Sequence, residues 1–312
     1  MNWSKTTNEN RERRGNQTMV YKKTRKILTV IIFLLPSLLG LLLFNVIPIG
    51  ASLYLSLTEW DVIGGPPRFI KIDNYLNILQ SEEFWRVFKN TSYFIVLYLP
   101  LILVSSIVVG SLLNLRYKGI ALYRTLFFIP VLTSWVAGAL IWRWVLSPEY
   151  GVINALLGSI GLEGPGWLYD KKWAMPGIVL ASIWKDTGFF GLIMLAGLQG
   201  IDPTYYEAAE IDGAGSWGRL WKITLPLISP TLFFVTVIAI INSFQLFPQV
   251  MVMIVDRKFA PGHVFVERIY QYAFKYYKMG YATAYSWILF LLIFIVTVIQ
   301  FKLQKRWVSY DA

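Results

Sequence analysis

The sequence predicts an all-α polytopic membrane protein with six transmembrane helices and both termini on the cytoplasmic side. Three observations lead there. The 312 residues are 56% apolar and 16% aromatic, with only 15% charged residues, and the mean hydropathy is +0.52; a soluble domain is more polar than this. Six apolar runs each reach the roughly 20 helical residues that a bilayer core requires. The basic residues are also distributed unevenly between alternate loops.

Residues 1–26 form a basic tail with Lys5, Arg11, Arg13, Arg14, Lys22, Lys23, Arg25 and Lys26. A basic flank beside an apolar run marks a cytoplasmic end rather than a nucleic-acid site. The first run, 27–57, is interrupted by Pro36 and Pro48 and is too long for one straight span. Its apolar part also exceeds the 7–15 residues of a signal-peptide h-region. The remaining runs are 88–113, 121–146, 176–198, 227–250 and 282–301, followed by a short tail, 306–312. In the third, Arg143 lies between Trp142 and Trp144, as an interfacial anchor does.

With the N-terminus inside, the inner segments carry sixteen Lys and Arg. The outer segments carry ten, balanced by ten Asp and Glu. The positive-inside rule therefore favours N-in, C-in. The outer segments 59–87, 147–175 and 251–281 each run to about thirty residues, and the one sizeable inner loop is 199–226.

That loop contains GAGSWG, which matches G-x-G-x-x-G at Gly213, Gly215 and Gly218. A dinucleotide site needs a strand before the glycines and an acidic residue about 20 positions later. Here YYEAAEID precedes them, and the apolar FFVTVIAII follows. Two short helices fit better. Asp202-Pro203 starts one over 203–211, Asp212, Gly213 and Gly215 make the turn, and Ser216 caps the second. The second helix is expected to place Trp217, Leu220, Trp221 and Thr224 on one face. Composition leaves two uses open, a docking element for a partner protein or an amphipathic linker on the membrane surface.

The loop also carries a resemblance. Glu207-Ala208-Ala209, then Gly213, Ile223 and Leu225-Pro226 reproduce the E-A-A…G…I-x-L-P signature of permease subunits of ATP-driven (ABC-type) importers. FFIPVLTSWVAGALIWRWVLSPEYGVIN, WKDTGFFGLIMLAGLQGIDPTYYEAAEIDGA and IYQYAF…MGYATAYSWILFLLIFIV resemble the carbohydrate-uptake branch, similar to maltose and glycerol-phosphate permeases. The resemblance runs over about 27–305. It implies a type I importer permease fold in a bacterial cell membrane, with 199–226 docking as a coupling loop on a separate ATPase through Glu207, Ala208, Ala209, Asp212, Gly213, Ile223, Leu225 and Pro226. It further implies a second permease subunit, a heterodimer being expected, together with a dimer of ATP-binding subunits that hold ATP and magnesium and an extracytoplasmic solute-binding protein. One departure is VDRKFAPGHVF, where relatives often have a Gly-Gly-Pro…Thr stretch.

Charged and polar residues within the spans mark a possible path for substrate: Trp184, Lys185 and Asp186 in the fourth, and Asn242, Ser243 and Gln245 in the fifth. Helix–helix hydrogen bonding is the competing role. The chain has no G-x-x-x-x-G-K-[ST] and no cysteine. One histidine, His263, with Glu267 nearby, is too few ligands for a metal site. Neither a catalytic residue nor a cofactor of its own is expected. The rival class is an ion-driven secondary transporter, against which stand the absence of an evident internal repeat and the presence of a docking loop.

Overall fold

The structure is a computed structural model that describes residues 29–115, 117–254 and 262–309. The basic tail, Arg116, most of VDRKFAPGHVF and the last three residues lie outside the described residues.

The chain divides into two units, 1–55 and 56–312. In the first, α1 (Thr29–Ser56) is apolar on every face, the pattern of a helix that meets no water. One turn, Leu42–Val46, is widened, and the Ile47 N–H reaches back to the Leu42 carbonyl. Proline clashes with the carbonyl four residues before it, which for Pro48 is that of Phe44. The wide turn absorbs that clash, so the run stays one helix despite its prolines.

The second unit begins with a small antiparallel hairpin, β1 (Thr58–Glu59) against β2 (Arg68–Phe69), closed by an exposed Arg68–Glu59 ion pair. The helix α2 (Asp73–Gln80) holds the hairpin through Asn74, whose amide donates to the Ser56 and Thr58 carbonyls at 2.9 Å. Next comes α3 (Glu82–Asn114), capped by Ser81, whose hydroxyl accepts from the Phe84 N–H. The third apolar run becomes α4 (Ile120–Leu132) and α5 (Trp135–Val145), bent at 97°. This corrects the expectation of one continuous third span. Ser134 caps α5 by accepting from the Ala137 N–H, so a new helix starts where α4 ends.

The segment 147–175 folds over α6 (Val152–Ser159). Trp167 Nε1 donates to Asn154 Oδ1 at 2.6 Å and ties its two halves together. The fourth run is α7 (Ala174–Gln199), followed by α8 (Pro203–Ile211) and α9 (Ser216–Leu227), which meets α10 (Ser229–Phe244) at a bend of 68°. The fifth run therefore ends as helix at Phe244, six residues short of the expected 250, and α11 (Pro248–Met253) is a separate turn of chain. A short helix α12 (Phe265–Tyr270) leads to α13 (Met279–Leu303).

Among the described residues, four helices are long and apolar enough to cross a membrane, and six spans result if each bent pair counts as one. The most extensive packing is α3 on α7. It is close because both helices offer glycine. A Cβ on Gly110 would lie 2.8 Å from Met194 Cβ, and one on Gly191 would lie 2.9 Å from Val109 Cγ1. Small residues at such seams let helix backbones approach without a hydrophobic drive between spans. A second core forms where α2, α3, α12 and α13 meet, around Ile78, Phe84, Phe265 and Tyr285.

Candidate functional site

Two features carry chemistry, a helix–turn–helix loop and a polar cavity. In the loop, Asp202 Oδ1 accepts from the Thr204 N–H at 2.9 Å, with Pro203 in the first helical position. These hydrogen bonds to Thr204 hold the exposed Asp202 carboxyl below its ordinary range. At the other end of α8, the Gly213 N–H donates to the Glu210 carbonyl and the Ala214 N–H to the Ala209 carbonyl. This is a Schellman cap, and it requires a left-handed residue at the glycine position; Gly213 has φ +75°. Gly215 is extended and stands where the second helix is capped, so Ser216 is the first residue of α9 and not its cap.

The expected single face on α9 is also corrected. Thr224 is buried while Trp217 and Trp221 are 72% and 62% exposed, because the wide turn Leu220–Thr224 shifts the helical phase ahead of Pro226. The Tyr206 and Thr224 hydroxyls, 3.0 Å apart, bind α8 to α9. The eight residues expected to dock consequently divide. Glu207, Ala208, Asp212 and Gly213 face outward, beside the 87% exposed Ile211. Ala209 is buried within its own chain, and Ile223, Leu225 and Pro226 are half-buried, Leu225 against the main core. Those four hold the loop's shape and present little surface.

The cavity has a volume of about 280 Å³ and is bounded by α3, α5, α7, α10 and α11. Asp186, Asn242 and Gln245 all reach it, although the last two lie nearly sixty residues beyond the first. Tyr98 donates its hydroxyl to Asp186 Oδ2 at 2.8 Å, and its ring stacks on Phe94 with centroids 5.1 Å apart. Gln249 is 7% exposed, and its side-chain carbonyl has no hydrogen-bond partner among the described residues. Trp135 completes the aromatic side.

Trp184 and Lys185 do not join them. Successive residues on a helix point about 100° apart, so the cluster WKD fans out around α7. Trp184 packs edge-on against Trp142. Lys185 is 6% exposed, and its Nζ donates to the carbonyls of Pro130, Val131 and Thr133 at 3.0, 3.2 and 2.6 Å. These carbonyls lie where α4 stops, a favourable place for a cation, although that of Pro130 also accepts from the Thr133 N–H and hydroxyl. The ammonium also lies 5.3 Å from the Trp135 ring centroid. Lys185 therefore holds the break in the third run.

Sequence reasoning missed Phe94, Tyr98, Trp135 and Gln249, which come from three helices; only Phe94 and Tyr98, one turn apart on α3, share a helical spacing. It also missed a buried polar cluster at the start of α3. Arg268 Nε and Nη2 donate to Glu267 at 2.7 and 2.8 Å, and its Nη1 donates to Glu83 at 3.0 Å. Tyr272 donates to the other Glu83 oxygen, and burial, followed by the Glu83 carboxylate, pushes the Tyr272 phenol up. Glu267 is thus committed to Arg268.

Comparison with known proteins agrees with this architecture. The family model described as "binding-protein-dependent transport system inner membrane component" matches residues 18–309. The chain is 36% identical over 307 residues to the probable ABC transporter permease protein YesP of Bacillus subtilis, covering 96% of this chain and 98% of that one. It is 32% identical to the lactose transport system permease protein LacF of Rhizobium radiobacter, covering 88% and 93%. Among solved structures, a bacterial alginate ABC transporter in complex with alginate pentasaccharide-bound periplasmic protein superposes with a TM-score of 0.81 at 25% identity, covering 92% of this chain and 97% of that one. A multi-pass helical chain with this loop and this coverage belongs to the family of binding-protein-dependent transport system inner membrane components.

Proposed function

We infer that this permease subunit forms half of the pathway of an ATP-driven carbohydrate importer, with its N- and C-termini inside. The observation that carries the reading is the cavity. Asp186, Asn242, Gln245 and the unsatisfied Gln249 carbonyl offer hydrogen bonds to hydroxyls, while Phe94, Tyr98 and Trp135 offer aromatic faces. Sugars present both kinds of surface, and few polar groups set among aromatic ones are what small-molecule sites use. The names of relatives that carry lactose and alginate support the same class.

In this reading the exposed Glu207–Gly213 edge of α8 docks on an ATPase subunit, where Glu207 accepts from a basic residue of the partner. ATP and magnesium are held by that partner's dimer. A second, different permease subunit closes the pathway, and an extracytoplasmic solute-binding protein delivers the sugar to the outer segments. Closure of the ATPase pair pushes the docked loops, and the spans exchange inward-open for outward-open states. This chain supplies the path and the lever.

The test is uptake of labelled oligosaccharides into proteoliposomes holding the chain, its partner subunits and the matching binding protein. Uptake should require ATP, and accumulation driven by an ion gradient without ATP would support the secondary-transporter reading instead.

A further inference from the structure

A second and larger cavity, about 860 Å³, opens beside the 199–226 loop and shares no lining residue with the first. It lies where the end of α3, Leu115, Tyr117, Lys118 and the start of α4 meet the end of α7 and the start of α8. Its polar wall is Asn114, Tyr117, Lys118, Arg124, Gln199 and Tyr206, and among the described residues no Asp or Glu lines it. The nearby Asp202 carboxylate is occupied with the Thr204 amide.

Arg124 is held in place by one hydrogen bond, Nη2 to the Leu113 carbonyl at 3.3 Å. Its Nε is buried and has no partner among the described residues, and a guanidinium has five donors to satisfy. Buried polar atoms left in this state call for an unseen ligand or water. The start of α4 adds to the positive potential: Gly119 stands at its cap with no side chain to satisfy the first amides, and the helix dipole places partial positive charge there.

We propose that this cavity binds a phosphate-bearing anion, with Lys118 and Arg124 as its cationic walls. The shared chemistry is a phosphate ester, and an anionic lipid headgroup or a free phosphate compound both supply it. Basic pockets between spans at the cytoplasmic face take lipid headgroups in this way. Because Gln199, Pro203 and Tyr206 line the same cavity, occupancy would brace the root of α8.

The complete transporter, purified with its partner subunits in a neutral detergent, allows the sources to be separated. Native mass spectrometry after incubation with dioleoyl phosphatidylglycerol or dioleoyl phosphatidylcholine measures lipid retention, and thermal unfolding with added inorganic phosphate measures the free anion. Preferential retention of phosphatidylglycerol that falls about fivefold in Lys118→Gln, and by a similar factor in Arg124→Gln, supports the site with a lipid occupant. Stabilisation by inorganic phosphate that both variants lose, without lipid preference, supports the site with a soluble occupant. Lys118 is exposed, so Lys118→Gln folds independently of any effect at Arg124. If Lys118→Gln retains lipid and responds to phosphate as the wild type does, the proposal fails.

Discussion

Tyr98 and Asp186 meet across the α3–α7 seam, with the phenol donating to the carboxylate at 2.8 Å on the wall of the polar cavity. Hydrogen bonds to charged groups are worth about 1.5–3 kcal/mol, so Tyr98→Phe leaves a carboxylate with one donor fewer and a changed orientation. Sugar uptake should fall by about tenfold while the amount of chain in the membrane is unchanged. Asp186→Asn, which keeps the shape and removes the charge, should lower uptake as well. Wild-type uptake in both variants would remove this cavity from the path.

Lys185 should behave differently from its neighbour. Its ammonium donates to three carbonyls at the end of α4. That of Pro130 also accepts from Thr133, whereas those of Val131 and Thr133 would lose this donor, and each buried acceptor left without a partner costs about 1–3 kcal/mol. Lys185→Met should therefore lower the thermal stability of the purified complex, whereas Asp186→Asn should leave it nearly unchanged. Lys185→Arg, which retains donors, should recover part of the loss. Equal unfolding temperatures for Lys185→Met and wild type would show that the break is held by other means.

The α3–α7 seam leads to a packing prediction. Gly191→Val would place its first side-chain carbon against Val109, and overpacking of this kind costs about 1–3 kcal/mol. Less complex should survive detergent extraction, while Gly40→Val, at a glycine with no neighbour within 4 Å, serves as the control. Equal yields for the two variants would exclude a tight seam.

The Glu83–Arg268–Tyr272 cluster should be structural. Glu83→Gln removes the charge that faces Arg268 and Tyr272, and breaking a buried pair by removing one partner costs about 3–5 kcal/mol; the partial exposure of Glu83 at 27% reduces that figure. The expected result is a lower unfolding temperature with sugar selectivity unchanged across a panel. A switch in selectivity without loss of stability would place the cluster in the path instead.

The local parts of this fold were readable from the sequence, and the relations between distant parts were not. Asp202-Pro203 and Gly213 mark both ends of α8 because caps depend on adjacent residues. Runs of apolar residues located α7 and α13 to within three positions and α3 to within six, since length and hydropathy suffice for a span. The bend between α4 and α5 escaped because apolarity continues through it; only Pro130 and the Thr133-Ser134 pair hint at a stop. Lys185 and Asp186 look like a pair in sequence, yet one turn geometry sends them to different neighbours. The cavity itself joins Tyr98, Asp186, Asn242 and Gln249 through helix packing, which no spacing rule encodes.

The loop 199–226 gives the most decisive prediction. Gly213 sits at φ +75°, and its N–H bonds to the Glu210 carbonyl. Proline at this position cannot adopt that φ and lacks the N–H, so Gly213→Pro opens the cap of α8 without touching a span. Gly213→Ala, strained by roughly 1–2 kcal/mol, should give a milder version of the same defect. Glu207→Ala leaves the cap intact and removes only an exposed charge, so it should weaken docking while preserving the loop. All three variants should insert at normal levels. ATP-dependent uptake should be lost in Gly213→Pro and reduced in Glu207→Ala, with co-purification of the ATPase subunit falling in parallel. Normal uptake by Gly213→Pro at a normal membrane level would mean that the work of ATP enters this chain elsewhere.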